Sequence, residues 1–274
     1  MKTDVKVGAV VLRSVVGDTD GNMAKVVAFV HEAARNHVDI LCFPEMNLTG
    51  YSVRSEIRKV AQPSQGQLIT TLIKLARQSG VFILAGLAES QGSAIYATHL
   101  VISPEGFLGC YRKLHLGPPE AKFFTPGDEI PLFQFGETTF GIQLCYDTHF
   151  PELSSIMALQ GADILFFPYG SPRDTPRQKL ESWMRHLPAR AFDNSVFVVA
   201  CNTCGENGSG LTFPGTAVIL SPDGRVLEQF TDDRETMLTA VLKRSDLQAV
   251  RGHRMGYFLP HRRPELYSEL ARHS

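Results

Sequence analysis

Short, unbroken apolar runs alternate along this chain with longer segments in which apolar residues return every three or four positions. The runs at residues 7–12, 80–86 and 195–201 contain no charged residue and predict buried β-strands. Segments 22–36, 68–78, 151–160 and 178–192 carry the 3.6-residue period of amphipathic helices instead. Two turns, SPEG at 103–106 and SPDG at 221–224, each join a pair of β-like runs. Proline at the second turn position and glycine at the fourth predict β-hairpins over 99–111 and 217–230.

The pattern also repeats. VDILCFPE at 38–45 returns in altered form as ADILFFPY at 162–169, and each copy is expected to end a strand at its proline. Each half therefore runs strand, helix, strand, helix, strand, hairpin. Two sheets that each carry helices on one face bury most apolar surface by packing against one another. The expected fold is α/β, a four-layer α-β-β-α sandwich with an internal pseudo-two-fold duplication, built as one domain over 1–274. The duplication is imperfect at one informative position, because Glu45 stands where its copy has Tyr169. A purely structural residue tends to match in both halves; an acid retained in only one points to a single centre between them.

Bulk composition narrows the function classes. Lysine and arginine number 27 against 28 aspartate and glutamate, so no net field draws the protein to nucleic acid or anionic lipid. No apolar run approaches the ~20 residues needed to cross a bilayer, and the N-terminal run reads as a strand rather than a signal sequence. Five cysteines without framework spacing suit a reducing, cytoplasmic setting. Cys201 and Cys204 have Cys-x-x-Cys spacing but lead into GENGSG, not into the helix that a redox pair needs. His253 and His261 lack a recognisable metal-ligand spacing.

Three strand-to-loop junctions carry the reactive side chains. At 138–160, TTFGIQLCYDTHFPELSSIMALQ, Cys145 falls between a strand-like run and a helix opened by Pro151. A thiolate beside a helix N-terminus has its pKa lowered by unpaired N–H groups and the macrodipole, and the Tyr146 amide is a candidate oxyanion donor there. In DILCFPEMNLTGY at 39–51, Glu45 follows a buried strand, where desolvation raises a carboxyl pKa and suits it to proton transfer; Tyr51 is placed to line the same cavity. In GFLGCYRKLHLGPPEAKFFTPGD at 106–128, Lys113 closes a strand and Glu120 lies on the loop beyond. An ammonium facing a thiolate and a carboxylate stays charged and stabilises a developing oxyanion.

In their order and spacing these motifs resemble the nitrilase superfamily of carbon–nitrogen hydrolases, through nearly the whole chain. The family's glutamate motif corresponds to CFPEMNLTGY with Glu45, its lysine motif to YRKLHL with Lys113, and its cysteine motif to LCYDTHFPE with Cys145; its additional glutamate corresponds to Glu120. The resemblance implies the α-β-β-α sandwich, no cofactor or metal, and a homodimer or larger assembly, with the basic tail from about 243 to 274 packing on a partner subunit. It also implies hydrolysis of a small amide to ammonia and an acid through a cysteine thioester. N-carbamoyl or nitrile substrates are alternatives on the same site, and a non-catalytic small-molecule-binding protein is the alternative of another class. True nitrilases carry Trp-Glu after the cysteine, whereas this chain has Tyr146-Asp147. Thr148 and His149 occupy the region where some N-carbamoyl amino-acid hydrolases place an arginine. Candidate substrate contacts are thus Tyr51, Tyr146, His149, Tyr169 and Arg173, with Arg173 or Arg54 as readers of an anionic group.

Overall fold

The computed structural model describes residues 1–63 and 65–272. Strand β1 (Val5–Val11) is followed by helix α1 (Thr19–Arg35), β2 (Ile40–Cys42), α2 (Gln67–Ser79), β3 (Phe82–Gln91) and the hairpin β4 (Ala94–Ser103) with β5 (Gly106–Arg112). The first half ends with β6 (Leu132–Phe135), and the second supplies β7 (Thr138–Ile142), α3 (Pro151–Leu159), β8 (Ile164–Tyr169), α4 (Pro176–Trp183), α5 (Leu187–Asn194), β9 (Phe197–Asn202), β10 (Thr216–Leu220), β11 (Val226–Thr231), β12 (Thr236–Leu242) and α6 (Arg244–Arg251). The first sheet has the order β12-β1-β2-β3-β4-β5 and the second β11-β10-β9-β8-β7-β6. Parallel pairs lie at the centre of both, β1 with β2 with β3 and β7 with β8 with β9. Antiparallel hairpins flank both, at β3-β4-β5 and β9-β10-β11. The duplication read from the sequence is therefore a duplication of topology.

The sheets pack face to face, β1 against β9 and β10, and their inner side chains merge into one core that includes Val7, Val11, Ile142, Phe166 and Val199. Helices α1 and α2 cover the outer face of the first sheet, where Val26, Val30, Leu72 and Leu75 meet Leu41, Ile83 and Leu100. Helices α3 and α5 pack on each other over the second sheet. These are the four layers expected.

Several local expectations need correction. Each half has a sixth strand that leaves its own sheet: β6 pairs with β7, and β12 pairs with β1 at the opposite end of the chain. The second proline-ended strand does not end there, because β8 runs through Pro168 to Tyr169 alongside β9. Its other neighbour, β7, stops pairing at Phe166, so the missing proline N–H leaves no ladder bond unmade. The helix expected over 178–192 is two helices, since Pro188, in the first turn of α5, has no amide with which to continue α4. At the start of the tail, Arg251 lies 2.7 Å from Asp163 and 2.7 Å from the Ala162 carbonyl, which leaves the rest of the tail's packing open to a partner.

Gly50 closes the turn after Glu45 with a φ of +77°, and a Cβ there would stand 2.6 Å from the Val16 backbone. Gly50→Ala should lower the unfolding free energy by about 2 kcal/mol, measured from the urea midpoint. An unchanged midpoint would mean that this turn has room to spare.

Candidate active site

The catalytic candidates converge where the carboxyl ends of the central strands of both sheets meet. Glu45 follows β2 in a tight turn that places Met46 at a φ of 52°, and its N–H donates to the Tyr169 carbonyl at 3.3 Å. The repeat thus sets Glu45 beside the residue that occupies its own position in the other half. Lys113 follows β5 and is pinned on both sides of its backbone, its N–H donating to Ala97 and its carbonyl accepting from Gly127. Glu120 opens a short 3₁₀ turn, Glu120–Lys122, in the long loop after β5.

The Lys113 ammonium is buried and bridges two carboxylates, 2.9 Å from Glu45 Oε1 and 2.6 Å from Glu120 Oε1. Glu120 also accepts from the Tyr51 hydroxyl at 2.9 Å and the Gly117 amide at 2.7 Å. Glu45 accepts from the Gly170 amide at 2.9 Å. Cys145, Lys113, Glu120 and Gly170 line a small cavity of about 110 Å³ that opens past Tyr51, Tyr146 and Ser171.

Cys145 departs from expectation in two ways. It opens a 3₁₀ turn, Cys145–His149, that separates it from α3, and it takes a φ of 44°. Such a left-handed non-glycine residue, held in place by its surroundings, is common at reactive centres. Its carbonyl accepts from the Thr148 hydroxyl at 2.7 Å, and Arg190 Nε holds the Thr148 carbonyl at 3.1 Å. The Tyr146 amide has no protein acceptor among the described residues. The thiol pKa is raised, not lowered: burial drives it up, Lys113 pulls it down, and Glu45 and Glu120 push it up again. At rest Cys145 is therefore a neutral thiol.

The carboxyl partner is shifted in the same direction. Burial is the largest influence on Glu45 and Lys113 opposes it, while Glu120 adds to the rise; the result is a pKa pushed up to about 7. For Lys113, desolvation works against the charge, but Glu45, Cys145 and Glu120 more than offset it and keep the ammonium protonated. A proton acceptor near neutrality, a fixed cation and a neutral thiol together form a site for nucleophilic attack on a polar carbon.

Among the candidate substrate contacts, Tyr51 and Tyr146 do line the cavity, and Arg173 stands on a wider recess outside it. Tyr169 contributes its backbone, with its hydroxyl turned away to Thr148 at 2.8 Å and its ring stacked on Trp183. His149 is exposed on the outer side of the turn, against Tyr146 and His186, and does not line the cavity. Arg54 likewise lies off the recess, near Gly210. Gly170 and Asp147 escaped the sequence reading. A Cβ on Gly170 would meet the Tyr51 ring at 2.7 Å and Glu45 Oε2 at 3.1 Å. Buried Asp147 ties the Leu144 and His115 amides to the Tyr111 hydroxyl, joining the cysteine turn to the lysine strand. The Tyr-Gly pair after FFP was a faint signal for the former; nothing in the sequence marked the latter.

Residues 6–252 match the family model for carbon–nitrogen hydrolases. The chain belongs to that family. It is 34% identical over 255 residues to a nitrilase of Pyrococcus abyssi, covering 92% of this chain and 93% of that one. It is 31% identical over 264 residues to an (R)-stereoselective amidase of Pseudomonas sp., covering 94% and 91%. Among solved structures, the NitN amidase of Nesterenkonia sp. AN1 shares the fold with a TM-score of 0.85 at 24% identity, over 97% of this chain and 99% of that one. The protein is accordingly an enzyme of the carbon–nitrogen hydrolase class, and among the described residues no helix is long and apolar enough to cross a membrane.

A raised thiol pKa has a direct chemical readout. Alkylation of Cys145 by iodoacetate should still be accelerating above pH 9.0, the ordinary thiol value. A rate that levels off below that pH would mean that the thiolate is already stabilised at rest.

Proposed function

We propose that this carbon–nitrogen hydrolase cleaves the C–N bond of a small linear amide through a thioester on Cys145. The observation that supports the reading most is the Lys113 ammonium shared between Glu45 and Glu120 in a cavity that Cys145 lines. Glu45 takes the thiol proton as sulfur attacks the carbonyl carbon. Lys113 and the Tyr146 amide hold the oxyanion. Glu45 then returns the proton to the departing nitrogen, the C–N bond breaks and ammonia leaves. A water molecule, deprotonated by Glu45, attacks the thioester, releases the acid and restores the thiol. Glu120, already bonded to Lys113, Tyr51 and Gly117, acts by positioning the lysine.

Amide is favoured over nitrile because Tyr146-Asp147 stands where true nitrilases carry Trp-Glu. An N-carbamoyl amino acid is disfavoured by Thr148 and His149 in place of a carboxylate-binding arginine, and His149 points away from the cavity. Catalysis is favoured over mere binding because a buried cation and two buried carboxylates are costly to assemble and unnecessary for holding a neutral amide. Five free cysteines fit a reducing compartment. Leu266 and Leu270, exposed in the tail, fit coverage by a second copy in a homo-oligomer, and the chain is read as one domain over its length.

Ammonia release from short aliphatic amides should disappear in Cys145→Ala; release that survives would exclude the nucleophile. Lys113→Met, folded as judged by circular dichroism, should lose roughly two to three decades in kcat, the equivalent of one oxyanion donor. Because Glu45 accepts the proton only as a carboxylate, kcat/KM should rise with pH and level off above about 7. Glu120→Gln removes a negative neighbour that raises the Glu45 pKa, so the acid limb should move to lower pH. A limb that stays in place would remove Glu45 as the titrating base.

A further inference from the structure

The reactive cavity holds little more than the reacting group, but it opens into a recess of about 570 Å³ that shares Tyr51, Gly117, Tyr146 and Ser171 with it. Anything attached to the acyl carbon extends into this recess. Its walls are apolar at Val53, Pro119 and Leu211, and its charged groups come from the loop after β8 and the helix that follows, at Arg173, Asp174 and Lys179, with Ser171 beside them.

The hydrogen bonds of that loop leave it with donors to spare. Lys179, although buried on α4, spends its ammonium on the loop, on Ser171 Oγ at 2.9 Å, Asp174 Oδ2 at 3.0 Å and the Pro172 carbonyl at 3.5 Å. Asp174 is thereby offset, so the one carboxylate on this wall already has its cation. Ser171 is fixed by Asn202, which accepts from its amide at 2.9 Å and donates to its carbonyl at 3.1 Å. With its oxygen accepting from Lys179, the Ser171 hydroxyl has its hydrogen free to donate. Arg173 is exposed on the recess, and among the described residues its guanidinium has no carboxylate partner. Arg173 and Asp174 both take left-handed backbone angles, φ 75° and 69°, a conformation that non-glycine residues adopt at a cost.

We propose that this recess makes the enzyme selective for amides whose acyl chain ends in a carboxylate, read by the Arg173 guanidinium and the Ser171 hydroxyl. The inference rests on the amide reading above and specifies its substrate. A bidentate guanidinium–carboxylate contact discriminates strongly between an anionic chain end and a neutral one of the same length. The apolar wall at Val53 and Leu211 suits the methylenes between the two ends.

The test compares glutaric acid monoamide, pentanamide and the amide of the same length ending in an ammonium. The wild-type enzyme should prefer the carboxylate amide over pentanamide by about tenfold or more in kcat/KM, the scale of a hydrogen bond to a charged group. Arg173→Gln should collapse that ratio, mainly through KM, and Ser171→Ala should reduce it. Arg173→Glu should reverse it in favour of the ammonium amide, a gain that damage to the loop cannot produce. Calorimetry on Cys145→Ala with the same three amides tests binding apart from turnover. Tighter binding of the carboxylate amide, lost when Arg173→Gln is added, keeps the subsite even if no amide is turned over, in which case the catalytic reading fails alone. Equal binding of the charged and neutral amides, or a preference indifferent to Arg173, overturns the proposal.

Discussion

One buried ammonium holds this site together. Lys113 is the cation between Glu45 and Glu120, and the Cys145 thiol lines the cavity beside it. Two carboxylates and a potential thiolate therefore compete for a single positive charge in a place where desolvating any ion costs several kcal/mol. The competition orders the protons. Glu120, anchored by Lys113, Tyr51 and Gly117, lies deepest in the hydrogen-bond network. Glu45 is left near neutrality, able to take or return a proton at little cost. Burial keeps the proton on the thiol at rest. In the reaction proposed above, that proton is the one Glu45 collects and gives to the leaving nitrogen.

The duplicated architecture makes the cluster possible. No single sheet brings these groups together: Glu45 and Lys113 leave the first sheet at the ends of β2 and β5, and Cys145 and Gly170 leave the second at the ends of β7 and β8. The face-to-face packing closes the gap, and the edge strands lock it, since each half lends one strand to the other's sheet. Around the pseudo-two-fold relationship the two copies touch at Glu45 and Tyr169. One copy supplies an acid, and the other supplies a backbone carbonyl and, one residue later, the Gly170 amide that binds that acid. The symmetry builds the frame, and the departures from it build the chemistry.

A second network stiffens the Cys145 turn. Thr148 caps the Cys145 carbonyl, Arg190 holds Thr148, and Asp147 ties the turn to Tyr111 and His115. None of these groups lines the cavity, yet they surround the left-handed Cys145 with fixed partners. The interruption of the helix at Pro188 has a use in this setting. It lets His186 sit 3.3 Å from the Tyr169 hydroxyl, and lets Arg190 reach back to the cysteine turn.

The sequence alone determined the layers, the hairpins and the repeat, and singled out Glu45, Lys113, Glu120 and Cys145 as candidates. Apolar periodicity encodes which face of an element is buried, and strand-to-loop junctions are written in contiguous residues; both are local signals. Tertiary structure decided what those residues are like. The thiol pKa moved opposite to expectation because burial raises it and Glu45 and Glu120 add to the rise through space against the pull of Lys113, and Glu45 and Lys113 are 68 positions apart in the chain. Gly170 works through its amide and its missing Cβ, neither of which leaves a side-chain signature. The exchanged edge strands pair across sequence distances that no local pattern records. His149 and Arg173 looked alike as candidates, and only the packing of the loop after β8 put one of them on the recess and the other on the outside.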